Sequence, residues 1–286
     1  MAICRRVDCL VLSGKGFGGF VVSRRGLAVP VTYLILFGSL LVLVSVAYGF
    51  AVARLRVEGA AFGVAVARRN MQALDDAVRL VAWNIGASRT VYMEDCGGIF
   101  QTEPNAGTLV LRLADGGGFS TLVFNGSVGR VLYALSALHE SMEGTFVRGD
   151  GRALVGFGGS TQSQLFFARN GSVQQFVLRY RPAATVLASS IRDGKAYNII
   201  RIYIISLNKT QPLTLGGGFN LKVSAAKVAS TVHSFTFEGT VSLLALEAVY
   251  DGFEARVWLP IECTLEGAIV NVEVYICHVV FQVVSS

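Results

Sequence analysis

The sequence predicts an α+β protein: a long N-terminal transmembrane and stalk α-helix, followed by an all-β, antiparallel, sandwich-like extracytoplasmic head. Three observations carry that reading. No charged residue occurs from Gly26 to Ala53. Leu74, Val78, Val81 and Ile85 recur at helical spacing along one stripe. From Thr90 onward the pattern breaks into short strand-like segments punctuated by Gly and Asn turns. Composition agrees. Charged residues are 15% of the chain and hydrophobic residues 52%, against a usual charged share of roughly 25%. That balance excludes a disordered polyelectrolyte and argues against a wholly soluble cytosolic enzyme.

Taken in order, residues 1–26 form a basic leader, 27–53 a transmembrane helix, 54–90 an amphipathic stalk helix and 91–286 the β-rich head. The uncharged run is apolar on every face, with Leu34, Ile35, Leu36 and Phe37 in succession. A helix needs roughly 20 apolar residues to cross a bilayer, and a core helix of a soluble protein keeps a polar face. Arg5, Arg6, Lys15, Arg24 and Arg25 precede the run, opposed by Asp8; Arg54, Arg56 and Glu58 follow it. The Lys/Arg bias puts the N-terminus in the cytoplasm and the head outside. A cleaved secretory signal has an apolar core of about 7–15 residues, about half the length found here, so retention in the lipid bilayer is expected.

Pro30 falls in the first turn of the helix, where a missing N–H is harmless. One helix from Leu27 to about Ile85 would be roughly 90 Å long, with Gly59 and Gly63 as places to bend and Gly86-Ala87-Ser88 as its stop. Beyond it, residues 108–124 read as strand, Gly turn, strand. Residues 163–180 read as a hairpin about Asn170-Gly171. Residues 198–208 read as a strand covered on both faces, and 254–265 pairs with 268–284 about Glu266-Gly267. Ten to twelve strands are expected, and 131–140 is ambiguous.

Arg25-Gly26-Leu27-Ala28, directly before the apolar helix, resembles the recognition site of an archaeal prepilin peptidase. The whole plan is similar to archaeal type IV pilins and pilin-like envelope proteins, and the segments 83–100 and 198–208 resemble that group. The resemblance implies cleavage after Gly26, a mature N-terminus at Leu27, and self-assembly into a filament or with other pilin-like subunits. It also implies a prepilin peptidase as partner. Val31 stands at the fifth mature position, where bacterial pilins carry glutamate. A signal-anchored monomer whose head binds an envelope partner or ligand shares the same topology.

No constellation for catalysis emerges, and a non-enzymatic role without cofactor or metal is expected. Gly14, Gly16 and Gly19 make a GxGxxG, but the span begins too soon after it for a strand–helix unit. His139, His233 and His278 are isolated. Cys277 and His278 are adjacent on a strand and point to opposite faces, so they cannot share a metal. Outside the leader, which holds Cys4 and Cys9, lie Cys96, Cys263 and Cys277, an odd number. Pairing of Cys263 with Cys277 is disfavoured by strand spacing, whereas Cys96 with either stays open. Asn125, Asn170 and Asn208 fit the N-glycosylation pattern, and two of them are also ordinary Asn-Gly turns. Nucleic acid is not an expected partner: Arg112, Arg130, Arg148 and Arg152 are scattered, and most of the net charge of +6 belongs to the leader.

Overall fold

The computed structural model of the chain describes residues 28–135, 144–156, 161–171 and 173–284. Helix α1 runs Ala28–Val81. Sixteen strands follow among the described residues. The first eight are β1 (Ser88–Met93), β2 (Ile99–Glu103), β3 (Thr108–Ala114), β4 (Ser120–Ser127), β5 (Arg130–Leu135), β6 (Phe146–Arg148), β7 (Val155–Gly156) and β8 (Ser163–Asn170). The rest are β9 (Val173–Tyr180), β10 (Ala183–Arg192), β11 (Lys195–Ser206), β12 (Thr214–Gly216), β13 (Phe219–Phe237), β14 (Leu243–Tyr250), β15 (Phe253–Pro260) and β16 (Ala268–Val284). The chain divides into two compact units, one ending at Leu55 and the other spanning Arg56–Ser286.

In the first unit, the described residues are helical from Ala28, with Pro30 in the first turn. An 18-residue window here reaches a mean hydropathy of 2.3 and has none of its area buried. Leu34, Ile35, Leu36 and Phe37 are all more than half exposed. These four consecutive positions point around the whole helix.

The second unit is built on three sheets, with strand orders β1-β13-β16-β11-β10-β7, β12-β2-β5-β9-β8-β6 and β15-β14-β3-β4. Most pairings are antiparallel; β11 with β16 and β10 with β7 are parallel. Helical residues Val64, Ala67, Met71, Leu74, Val78 and Val81, three and four apart, pack between the first and second sheets. They meet Val91 and Met93 of β1, Val223 of β13 and Val279 of β16 on one side, and Phe100, Tyr133, Phe167 and Phe176 on the other. Residues 64–81 of the expected stalk are therefore the centre of the head's first core.

The helix ends about four residues earlier than its periodicity suggested. Trp83 adopts a left-handed backbone (φ 72°) and sets its ring edge-on to Tyr203, with centroids 5.2 Å apart. Ile85, the last residue of the expected stripe, is exposed. The Asn84 amide donates to the Leu80 carbonyl at 3.3 Å, and Arg79 places its charge in the last turn, where the helix dipole favours a cation. Gly63 matters for packing: a Cβ there would sit 3.2 Å from the Cys96 carbonyl oxygen.

The first sheet serves a second core from its opposite face. In β11, Ile200, Ile202 and Ile204 face the third sheet, whereas Ile205, with Leu207 just past the strand's end, faces the helix. In β16, Val270, Val272 and Val274 face the third sheet, and Cys277, Val279 and Phe281 face the helix. Strict alternation along each strand does this, because each face is covered over only part of the strand. In β13 the register shifts between Ala225 and Lys227 opposite β16. That bulge at Ala226 lets Val223 face the helix while Phe235 and Phe237 reach the second core.

The 108–124 strand pair and the hairpin about Asn170-Gly171 form as β3–β4 and β8–β9. The pairing of 254–265 with 268–284 does not. β15 pairs β14, and β16 is the central strand between β13 and β11. An eleven-residue parallel register with β11 and a seventeen-residue run with β13 outcompete one local turn. Segment 131–140 is strand through Leu135, and its remainder lies outside the described residues.

Candidate functional site

Three features of the structure can carry function: the exposed apolar helix, the charged clusters that close the head, and a cleft beside α1. The first is described above. In the second, Asp75 projects from α1 into the first core and is fully buried. Its carboxylate accepts from the Tyr180 hydroxyl at 2.9 Å and from the Arg148 guanidinium at 2.7 Å. Arg148 also pairs with Asp76 and holds its carboxyl below the usual carboxylate range. A buried carboxylate without such partners would be too costly to keep ionised. Burial raises the Tyr180 hydroxyl well above its ordinary value. Asn70, also buried, bonds both the carbonyl and the N–H of Glu94, at 2.8 and 3.3 Å. These polar contacts fix the rotation of α1 between the sheets.

A second cluster joins the second sheet to the third. The Arg179 guanidinium donates to Gln164 at 2.8 Å and to Asp251 at 3.0 Å. It lies 4.5 Å from the ring centre of Tyr250 and 5.2 Å from that of Phe166, within cation–π range. Arg181 is fully buried and donates to the carbonyls of Thr161 and Arg152, at 3.1 and 2.9 Å, and to Asp150. Arg152 and Arg181 together hold the Asp150 carboxyl far below its ordinary value. Every one of these cations faces an anion, carbonyl or ring, so the clusters bind strands to one another.

The sequence candidates fall as follows. Arg25, Gly26 and Leu27 lie outside the described residues, as do His139, Cys4, Cys9 and the glycines of the leader; Ala28 is the first helical residue. Asn170 is exposed at the end of β8, beside the left-handed Gly171. Asn125 is exposed on β4. Asn208 is different: its amide donates to the Ser127 carbonyl at 3.1 Å, and its side-chain oxygen lies 3.0 Å from His278 Nδ1. Burial lowers the His278 pKa. Cys277 and His278 do point to opposite faces, the thiol into the first core and the imidazole to Asn208. Cys96, Cys263 and Cys277 are all free thiols, so none of the pairings left open by spacing forms. Burial raises the Cys277 thiol, which suppresses its thiolate. Among the described residues no three His, Cys, Asp or Glu side chains gather as a metal site.

The Asp75–Tyr180–Arg148 cluster was not foreseen, because its members are 73 and 105 positions apart in the chain. The one available signal was Asp75 lying beside the Leu74 stripe position. No protein-family model matches the chain, and no match was found to a curated protein or to a solved structure.

Proposed function

We propose that the protein is a non-enzymatic, single-pass cell-envelope subunit of type IV pilin-like plan. Its N-terminus is cytoplasmic, and its β-rich head is extracytoplasmic. The observation that supports this reading is the change of environment along α1. Residues 29–50 expose large apolar side chains on all faces, while residues 64–82 are built into the head's core. An apolar surface of that extent is unstable in water and is satisfied by lipid or by copies of the same helix. The basic leader favours the N-in orientation. Arg25-Gly26-Leu27-Ala28 supplies the processing signal for a prepilin peptidase. Release of the processed helix from the bilayer into a helical bundle would then drive assembly.

Glycosylation, in this reading, falls on Asn170 and Asn125, which are exposed, and spares Asn208, whose amide is already engaged. Peptide mass spectrometry of protein from its native host checks this; a glycan on Asn208 alone contradicts it.

The decisive experiment for the function is the N-terminal residue of membrane-extracted protein, in wild type and in Gly26→Trp. A mature start at Leu27 that is lost in the variant is the expected result. An uncleaved N-terminus in both removes the pilin reading and leaves a signal-anchored surface protein whose head serves an envelope partner.

A further inference from the structure

A cleft of about 390 Å³ opens between α1 and the second sheet. Its floor is Phe167 and Phe176, both buried and set edge-to-face with centroids 4.9 Å apart. Phe146 of β6 forms one wall, and the small side chains of Ala61 and Ala65 on α1 keep the other wall low. The volume and apolar lining fall in the range of preformed ligand sites, roughly 300–1,000 Å³ with few polar groups. Because the two floor rings belong to the first core, the cleft is already shaped before anything enters it.

Among the described residues the charge at its rim is one-sided: Arg68 and Arg69 line the cleft, and no Asp or Glu does. Arg69 is engaged by Glu94. Arg68 is exposed and has no hydrogen-bond or ion-pair partner among the described residues. An apolar interior beneath an unanswered guanidinium is complementary to an amphiphile with a hydrocarbon tail and an anionic head. The helical wall begins at Ala61, eight positions after the uncharged run ends at Ala53.

We propose that this cleft binds one acyl chain of an anionic lipid drawn from the membrane that the apolar helix crosses, with Arg68 holding the headgroup. The proposal rests on the membrane reading of residues 29–50. Burial of the tail against Phe146, Phe167 and Phe176 supplies affinity, and Arg68 supplies the preference for negative charge. The occupied cleft would join α1 to the second sheet at β6, its last strand among the described residues.

The test uses the full chain in a zwitterionic detergent, titrated with phosphatidylglycerol or phosphatidylcholine of identical acyl chains and read by native mass spectrometry. Wild type should retain one phosphatidylglycerol per chain and prefer it about fivefold over phosphatidylcholine, as one Arg near an anionic head implies. Arg68→Gln should equalise the two lipids. Ala65→Phe, a change at an exposed helical position that fills the cleft, should abolish the single bound lipid while thermal unfolding stays unchanged. Vesicle flotation of the same proteins separates the two readings. A wild-type chain that fails to float overturns the membrane reading and this proposal with it. A chain that floats but retains no phosphatidylglycerol, or retains it equally in Ala65→Phe, overturns the cleft assignment alone.

Discussion

Residues 29–50 and 64–81 of α1 both rely on small and aliphatic apolar side chains, chiefly Val and Leu in the first and Val and Ala in the second, and end in opposite surroundings. The first stretch carries no charge and buries nothing in the chain's own fold. The second carries Arg68, Arg69, Asp75, Asp76 and Arg79, yet places Met71, Leu74, Ala77 and Val78 at zero exposure between two sheets. What separates them is hydropathy and arrangement together. An apolar side chain on every face has no protein wall to match, whereas a stripe three and four apart matches a sheet on each side. Even the exception follows the rule, since Asp75 is buried only because Tyr180 and Arg148 meet its two oxygens.

The sharpest way to break the comparison is to put one charge into each half. Leu74→Arg buries an unpaired guanidinium in the first core and should cost more than about 5 kcal/mol, enough to abolish cooperative unfolding of the head. Leu41→Arg should leave the head's thermal unfolding unchanged and weaken membrane insertion by about 3 kcal/mol, read as a loss of carbonate-resistant vesicle flotation. Equal damage to the head by both substitutions would refute the division of α1.

A smaller effect is expected from Asp75→Asn. It removes the charge that answers Arg148 but leaves Arg148 its second partner, Asp76. The cost should be about 3 kcal/mol, a fall in melting temperature of about 5–10 °C. A variant as stable as wild type would mean that the cluster does not hold α1 in place.

The smallest effect is a dependence on pH. Burial lowers the folded pKa of His278, so its contribution is present above about pH 6.5 and declines as pH falls below that value. Arg148 depresses the folded pKa of Asp76, and Arg152 with Arg181 depresses that of Asp150. Their contribution is complete above the unfolded value of about 4 and is lost as pH falls through the lower folded values. The melting temperature should therefore decline gently below pH 6.5 and more steeply below about pH 4, and Asp150→Asn should soften the steeper part. A melting temperature that rises on acidification would contradict these signs.

Much of the plan was legible in the residues. The helix of the uncharged run, the first three positions of the Leu74–Val78–Val81–Ile85 stripe and the Asn170-Gly171 turn each encode their structure within a dozen positions and appear where expected, whereas Ile85 falls outside the helix. The illegible parts are those that depend on distant chain. Glu266-Gly267 looked like a hairpin turn, but β16 prefers a partner 72 residues earlier, with Ala196 opposite Ala268. Sharing of the first sheet between two cores was hidden too. Alternation states that a strand has two faces and does not say where along its length each is covered. The Asp75 cluster and the cleft likewise draw together α1 and strands more than 70 positions away.

The account turns on α1 having one half in lipid and one half in the head. A carbene photolabel dissolved in the bilayer tests this directly: full-length protein in vesicles is irradiated, and labelled residues are mapped by peptide mass spectrometry. The account predicts label along residues 29–50, distributed around the helix, and none along 74–82. Label on 74–82, or none on 29–50, would contradict it.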